Sequence, residues 1–459
     1  MGELYPRHER RTKNPAETTG IRYKIEILMS RMQKLKGLAA ASLRLKTLND
    51  NPYCILSEPY RCDIEKYFKL LMSKVLLLDG DSTQALPLSR SLKKKEYDVD
   101  IVEYTKWGYG SASRYVSNRF LFLEHEDVEK YHEFLLPILK KGNYDTVIPC
   151  DDYGAMLLSK YRDEFLKYTQ YKMPSFDVFE KGYDKHKLME LCQQKGYPHP
   201  QTVLVKNGSL DNLDLSTLPY PLLIKPNHTC GARGMTYVRN SEELEQKFPL
   251  IYKKYGDCHL QQFISAGGHQ VEIQLYVGDN DELVQATVIK KFRWYPENGG
   301  SSCCNVSALN PEIVDVCYRL LKDIGWRGFA DFDTIEDPRT GELLIMELNP
   351  RVPACVKSAF VSGVDWADII LNEYLNKPHV TYKAQEGLFL RHLGFECLWF
   401  LYSKNRFKTR PNWFKLFGKN VYYQDMSGWD DPLPFFMGTF GNFMKQLSPE
   451  FRKAKSGTR

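Results

Sequence analysis

The sequence predicts a mixed α/β and α+β protein, and three stretches carry this prediction. An apolar strand from Lys74 is followed by a Gly-Asp-Ser turn, a helix and a second strand at residues 99–102, which is the pattern of a βαβ unit. Residues 146–150 form another short apolar strand, and such runs are typical of parallel strands buried on both faces. Residues 329–334 and 343–349 alternate apolar and polar side chains around a polar turn, which predicts a β-hairpin.

The composition is that of an ordinary globular protein of about three domains or subdomains, with 459 residues, 43% hydrophobic and 26% charged. No run approaches the ~20 apolar residues that span a bilayer, and the N-terminus lacks a hydrophobic signal core, so we expect a cytoplasmic location. The eleven cysteines form no C-x-x-C pair, which indicates free thiols. A net charge of +6 does not indicate nucleic-acid binding.

Residues 1–72 form a basic N-terminal extension. Apolar side chains recur in it at helical spacing and predict a basic amphipathic helix: Ile21, Ile25, Leu28, Met32 and Leu35. Such a helix could lie on an anionic membrane surface, pack on its own domain or another subunit, or belong to a poorly ordered extension.

Polar residues follow two of the predicted parallel strands. Gly80 and Asp81 come after the first strand, and Asp151 and Asp152 after the strand at 146–150. Because ligands of open α/β sheets bind at the carboxyl ends of strands, these four are candidate substrate contacts. An acidic N-cap of the following helix explains the same residues equally well.

Two lysines occur at element boundaries of the middle region, and Lys185 by itself is unremarkable there. Lys185 opens a helix, whereas Lys225 ends a buried apolar strand, where an ammonium is costly unless it meets a negative charge. A loop with Gly231 and Gly234 follows, and glycines allow backbone N–H groups to approach phosphate closely.

The strand at residues 269–277 alternates apolar side chains with Gln270, Glu272 and Gln274. Its polar face either is solvated or lines a cleft, and the sequence leaves both open. The next strand carries Lys290 and Arg293 and leads into a glycine loop.

The hairpin places its polar residues on shared faces. Asp331 and Asp333 point one way on the first strand, as do Glu347 and Asn349 on the second. If the two polar faces coincide, their oxygens suit Mg²⁺, and Arg351 at the strand end is available for phosphate or carboxylate. Ordinary surface acids are the competing interpretation.

The acid, Gly turn and E-x-N-x-R order of this hairpin resembles the metal-binding hairpin of the ATP-grasp superfamily, in its carboxylate-amine ligase and carbamoyl-phosphate-synthase-like branches. The resemblance implies metal ligands at Asp331, Glu347 and Asn349, and catalytic roles for Arg351 and Arg293. It implies ATP-binding roles for Lys185, Lys225, Gly231, Gly234, Gln262, Phe263 and Ile264.

The resemblance also implies the domain order. A Rossmann-like pre-ATP-grasp βαβ domain is expected at 73–182 and an ATP-grasp domain at 183–380, whose nucleotide lobe (183–265) and metal lobe (266–380) grip ATP. The aromatic-rich segment 381–459 contains a D-D-P-x-P stretch at 430–434 that resembles an ending of the ligase branch. Its aromatic residues cover the back of the core or meet a membrane or acidic polymer.

The function implied is that of a ligase using ATP and Mg²⁺, with Mn²⁺ as a substitute, to activate a carboxylate as an acyl-phosphate and couple it to an amine. The expected partners are small molecules and not nucleic acid. We also expect the chain to form a homo-oligomer and to contact a membrane peripherally through the N-terminal helix. The alternatives are bicarbonate activation and a non-catalytic ATP-binding module docked to a membrane or polymer-assembly complex.

Overall fold

The computed structural model describes residues 73–447, apart from 206, 212, 217, 229–233, 266, 296 and 298–299. The predicted basic helix within residues 1–72 lies outside these residues. Residues Lys74–Arg459 form one compact unit, and its described part contains three β-sheets. No helix among the described residues is long and apolar enough to cross a bilayer.

The first sheet is parallel, with strand order β3-β2-β1-β4. Its strands are β1 (Lys74–Leu78), β2 (Asp98–Glu103), β3 (Asn118–Leu121) and β4 (Thr146–Pro149). Helices α1 (Ala85–Lys94), α2 (Val128–Gly142) and α3 (Asp152–Lys160) accompany them, with a 3₁₀ turn at Gly110–Ala112. Residues 75–78 of β1 are fully buried, as the apolar run predicts, because helices cover both faces of such a sheet.

Three helices lead into the second sheet: α4 (Arg162–Phe165), α5 (Phe176–Tyr183) and α6 (Lys185–Lys195). The Asp184 side chain caps the start of α6, and Gly196 ends it with a left-handed backbone (φ 74°), as Gly does at helix ends. The second sheet is antiparallel, in the order β5-β8-β6-β7, with α7 (Ser241–Tyr255) packed on it. Its strands are β5 (Thr202–Leu204), β6 (Leu222–Pro226), β7 (Thr236–Val238) and β8 (Cys258–Gln262).

The third sheet has seven strands in the order β13-β12-β9-β10-β11-β14-β15. They are β9 (Gln270–Val277), β10 (Leu283–Tyr295), β11 (Ser301–Ala308), β12 (Gly328–Glu336), β13 (Leu343–Asn349), β14 (Phe389–Arg391) and β15 (Val421–Tyr423). All its pairs are antiparallel except β14 with β15. Helix α8 (Pro311–Ile324), capped by Asn310 and Gly325, joins β11 to the predicted hairpin, which is confirmed as β12 and β13.

The C-terminal helices are α9 (Lys357–Val361), α10 (Trp366–Tyr374), α11 (Leu393–Tyr402) and α12 (Leu433–Leu447), and a 3₁₀ turn at Ala354–Val356 precedes α9. Gly363, with a positive φ of 100°, lies between α9 and α10 and separates the two helices. The segment after residue 380 also completes the third sheet through β14 and β15. This segment is therefore part of the third sheet, and its helix α11 also packs on β10 and β11.

The buried apolar side chains form two separate cores. One runs from the parallel sheet through α5 and α6 to the third sheet, and includes Leu77, Phe179, Ile273 and Trp366. The second lies within the antiparallel sheet and α7, around Leu222 and Phe248. The unit therefore contains two lobes with separate cores, and the exact domain boundaries stay a prediction.

Candidate active site

The hairpin brings its polar residues together in two rows across three strands. Asp331 pairs directly with Asn349, and Asp333 with Glu347. On the other side of β12, these aspartates pair with Gln274 and Glu272 of β9. The polar faces therefore coincide as predicted. Glu272 and Gln274 are 2% and 0% exposed, so this face of β9 is buried in the cleft and is not solvated.

Asp331 is 1% exposed, and its Oδ1 atom has no hydrogen-bond partner. Its Oδ2 accepts a hydrogen bond from Asn349 Nδ2 at 3.2 Å. Burial, with the nearby carboxylates of Glu272 and Asp333, raises its pKa well above the ordinary range. A buried, partly unpaired carboxylate oxygen beside further oxygen donors is a place where a cation would be favourable.

Lys291 of β10 brings a positive charge to the carboxylates of β9 and β12. Its Nζ lies 2.9 Å from Glu272 Oε2 and 2.6 Å from Asp333 Oδ1. Burial acts to raise the pKa of Asp333, but Lys291 and Arg351 hold it below the ordinary value. The ammonium of Lys291 therefore balances two of the carboxylates in this structure.

Arg351 joins the hairpin to the parallel sheet. Its Nη2 donates to Asn349 Oδ1 at 3.2 Å, its Nε donates to Asp152 Oδ1 at 3.2 Å, and its Nη1 lies 3.9 Å from Asp331 Oδ2. The guanidinium of Arg351 therefore contacts the hairpin through Asn349 and the parallel sheet through Asp152.

Lys185 and Lys225 approach each other around a buried histidine. Lys185 Nζ lies 3.2 Å from Glu347 Oε2, and Lys225 pairs across the strands with His259, which is 1% exposed. Burial, with the ammonium groups of Lys225 and then Lys185, holds the pKa of His259 well below its ordinary value. Both ammonium groups therefore act on His259, and Lys185 also reaches Glu347 of the hairpin.

Of the other predicted ATP-binding residues, Gly234 lies near Pro226 at the Lys225 end of the second sheet, whereas Gln262 pairs with Leu222 at its opposite end. Gln262 ends β8, and its Oε1 accepts a hydrogen bond from the backbone N–H of Gln201 at 3.3 Å; Phe263 and Ile264 follow it. Gly234 adopts a left-handed backbone (φ 73°), and a Cβ there would lie 2.8 Å from the Tyr255 ring. Gly231 lies outside the described residues.

Arg293 is not part of this cluster. It is 2% exposed, its Nη2 lies 2.7 Å from Glu396 Oε1 in α11, and its Nη1 donates to the Pro411 carbonyl at 2.6 Å. The register of β10 against β11 shifts on both sides of Arg293, which the alternation pattern could not foresee. The geometry favours Lys291 over Arg293 as the basic residue that β10 brings to the hairpin.

A cavity of about 520 Å³ extends from the hairpin to the carboxyl ends of the parallel strands. At one end lie Glu272, Lys291, Asp331, Asp333 and Arg351. At the other end lie Asp79, Asp81 and Asp151, which follow β1 and β4. The C-terminal segment closes the remaining wall with His392, Phe395, Gln424, Asn442 and Lys445.

The far end of the cavity is acidic. Asp79 has a left-handed backbone (φ 59°), and burial with the charges of Asp81 and Asp151 raises its pKa well above the ordinary range. Burial and the adjacent Asp152 raise the pKa of Asp151 to about 7. Asp151 also caps α3 through the N–H groups of Tyr153 and Gly154, which confirms the N-cap interpretation, while its contact with substrate stays a prediction.

Sequence reasoning missed Glu272, Lys291 and Asp79 as site residues. The signal for Glu272 was present in the alternation of β9, but the pattern could not tell a solvated face from a cleft. Lys291 stands beside Lys290, and only the register of the sheet shows which of the two faces the carboxylates.

Residues 183–355 match the sequence profile of the ATP-grasp domain family. The chain therefore contains an ATP-grasp domain, which confirms the resemblance drawn from the hairpin. The D-aspartate ligase of Enterococcus faecium is 24% identical over 51% of this chain and 60% of its own length. The aligned region thus spans less than two thirds of that curated relative.

Solved structures show the same fold. The biotin carboxylase domain of 2-oxoglutarate carboxylase from Hydrogenobacter thermophilus, in complex with MgADP, ADP and bicarbonate, superposes with a TM-score of 0.56 at 17% identity, over 69% of this chain and 73% of that one. The N5-carboxyaminoimidazole synthetase of Staphylococcus aureus, complexed with ADP, gives 0.54 at 12% identity, over 68% and 80%. Both likenesses establish the ATP-grasp fold of this protein.

Proposed function

We propose that this protein is an ATP-dependent ligase that activates a carboxylate and couples it to an amine, forming a C–N bond. The observation that carries the proposal is the single cavity that connects the acidic rows of the hairpin and Arg351 with a second acidic end at the parallel sheet. Nucleotide chemistry at one end and an acceptor at the other would share this space.

ATP would lie in the cleft between the two cores. Lys185 and Lys225 would contact its phosphates, with the loop of Gly231 and Gly234 over them. Gln262, Phe263 and Ile264, at the end of β8, would hold the adenine. The position of both lysines near His259, with Lys185 also at Glu347 of the hairpin, supports this placement.

The hairpin fits a magnesium ion by its chemistry. Asp331, Glu347 and Asn349 are the proposed ligands, and all offer the oxygen atoms that Mg²⁺ prefers; Mn²⁺ would be accepted by the same donors. The unpaired Oδ1 of Asp331 supports this assignment. Among the described side chains no three His, Cys, Asp or Glu residues converge on one metal position. In this arrangement Lys185, Lys291 and Arg351 lie beside the hairpin carboxylates. When bound, the metal would offset the negative charge of the ATP phosphates.

In the first step, an oxygen of the substrate carboxylate attacks the γ-phosphorus of ATP, and ADP leaves, giving an acyl-phosphate. In the second step, the amine nitrogen attacks the acyl carbon, inorganic phosphate leaves, and the nitrogen loses a proton. Arg351 would stabilise the charge that spreads over the transferring oxygens. Its guanidinium is already fixed at the cavity wall by Asp152 and Asn349.

The acidic end suits the amine substrate. Asp79, Asp81 and Asp151 would attract its ammonium form, and the repulsion between these carboxylates would be relieved by the cation. Asp151, with a pKa of about 7, would accept the proton that the nitrogen must lose, since a base is most effective when its pKa lies near the working pH.

The test is ADP release by the full chain with ATP and Mg²⁺ across pooled amino acids, small carboxylates, sugar acids and amines, with D-aspartate and bicarbonate among them. We expect release that requires one acid and one amine. In Glu347→Gln it should fall about a thousandfold, as expected when several kcal/mol of charge stabilisation are lost. Glu342→Gln, on the exposed turn of the same hairpin, is the matched control and should keep full activity.

Other outcomes separate the alternatives. ADP release with bicarbonate and no amine would identify bicarbonate activation. Calorimetric ATP binding without ADP release from any pool would argue for a non-catalytic nucleotide-binding module. A cytoplasmic location and self-association are part of the proposal, and light scattering of the purified chain tests the second.

A further inference from the structure

One surface of the C-terminal segment is exposed, apolar and basic. We define the basic aromatic surface as residues 401–419. Five of its large apolar side chains are 58–84% exposed, namely Leu401, Tyr402, Phe407, Phe414 and Phe417. Large exposed apolar side chains grouped in one short segment mark an interaction site more often than scattered ones do.

The same segment carries an uninterrupted positive charge. Its basic residues are Lys404, Arg406, Lys408, Arg410, Lys415 and Lys419, and no Asp or Glu occurs between residues 397 and 424. The six charges equal the net charge of the whole chain, +6, so the remaining residues balance one another. Within the part of the chain that the structure describes, none of the six forms a salt bridge.

Buried groups hold this surface in place. Arg293 donates to the Pro411 carbonyl at 2.6 Å, and Arg391 donates to the carbonyls of Lys415 and Trp413 at 2.7 and 2.9 Å. Both arginines are anchored by Glu396, which is fully buried. The exposed side chains are thus presented by a fixed backbone.

Ring contacts order the apolar part further. The Phe400 ring lies 5.6 Å from that of Phe407 and 5.7 Å from that of Phe414, which stacks on Phe407 at 6.4 Å. Within this group Phe407 and Phe414 keep most of their surface in water. The arrangement places a preformed apolar patch among cations.

We propose that the basic aromatic surface docks this protein on an anionic lipid bilayer. Lysine and arginine heads would meet lipid phosphates, each worth about a fivefold gain in binding near an anionic surface. The exposed phenylalanine and leucine side chains would enter the boundary between headgroups and acyl chains, where apolar groups are favoured. The proposal is independent of the ligase activity, since the residues of 401–419 do not line the cavity.

The probe is sedimentation of the full chain with vesicles of phosphatidylcholine, with and without phosphatidylglycerol. We expect binding only to the anionic vesicles, weakening steeply as salt rises. Lys404→Glu with Lys408→Glu should weaken it about thirtyfold or more, since two favourable charges are removed. Phe407→Ser with Phe417→Ser should weaken it about tenfold or more while leaving the charge unchanged.

Each variant has a matched control. Lys140→Glu with Lys141→Glu makes the same charge change at exposed positions of α2, and Leu250→Ser removes an equally exposed apolar side chain from α7. Both controls should sediment like the wild type. Circular dichroism and thermal melting confirm that all variants are folded.

Several results would overturn the proposal. These are equal sedimentation of the charge variant and its control, equal binding to neutral and anionic vesicles, and failure to bind either kind. Tight binding to a single-stranded oligonucleotide in the absence of vesicle binding would also refute it, and would assign the surface to nucleic acid.

Discussion

Two arginines of the third sheet show how differently one residue type is used in this fold. Arg351 follows β13 and lies at the cavity wall, 19% exposed, where it contacts Asn349 and Asp152. Arg293 lies near the end of β10, 2% exposed, and holds Glu396 and the backbone of Pro411. The first is placed by its own hairpin, and the second by a helix that comes a hundred residues later. An arginine near the end of a strand can therefore serve a site only if the elements packed against it leave its guanidinium accessible from the cavity.

The largest expected effect separates these two roles. Arg351→Met should lower the rate of ADP release by roughly 10²–10³-fold, the cost of losing one fixed donor to developing charge, and should leave the fold intact. Arg293→Met should leave Glu396 buried and unpaired and lower the free energy of unfolding by about 3–5 kcal/mol. Urea unfolding and turnover per folded molecule, measured on both, test the comparison, and a stable, inactive Arg293→Met would reverse it.

A second, smaller effect concerns the adjacent lysines of β10. Lys291→Met removes the cation between Glu272 and Asp333, and should cost about 3 kcal/mol of stability in the absence of metal. Because Mg²⁺ with a nucleotide could then balance these carboxylates, the variant should gain more in melting temperature from MgADP than the wild type does.

Lys290→Met is the control for this prediction. Lys290 alternates with Lys291 along the strand and points to the opposite face of the sheet, so its loss should change neither the stability nor the response to MgADP appreciably. An equal response of the two variants would count against a cation site at the hairpin.

The smallest effect is the pH dependence at the acidic end. Since the folded protein raises the pKa of Asp151 to about 7, the stability linked to its protonated form is fully present below the unfolded value of about 4 and is lost as pH rises to about 7. Asp151→Asn should therefore flatten the fall in unfolding free energy over this range, by up to about 1.4 kcal/mol per pH unit.

Asparagine caps helices as well as aspartate does, so this substitution preserves the start of α3. Asp163→Asn, at an exposed position of α4, is the control and should leave the slope unchanged. The same slope in Asp151→Asn and the wild type would show that the carboxylate titrates normally in the folded protein.

The sequence by itself determined the ATP-grasp domain and the hairpin that carries the proposed site. Asp331, Glu347, Asn349 and Arg351 are near one another in the chain, and the two-residue period of a strand fixes which side chains share a face. The register, Asp331 opposite Asn349 and Asp333 opposite Glu347, depends in addition on a register shift between Asp333 and Thr334, since the turn alone would place Asp333 opposite Met346.

Only the tertiary structure decided which distant residues join them. Glu272 and Lys291 reach the hairpin because β9 lies between β12 and β10, and Arg293 is withdrawn because α11 packs over it. Likewise, Asp79 and Asp151 meet the hairpin through a cavity that the C-terminal segment closes. Strand order, burial and helix packing bring together residues that are far apart in sequence. Local patterns of alternation cannot predict these long-range contacts.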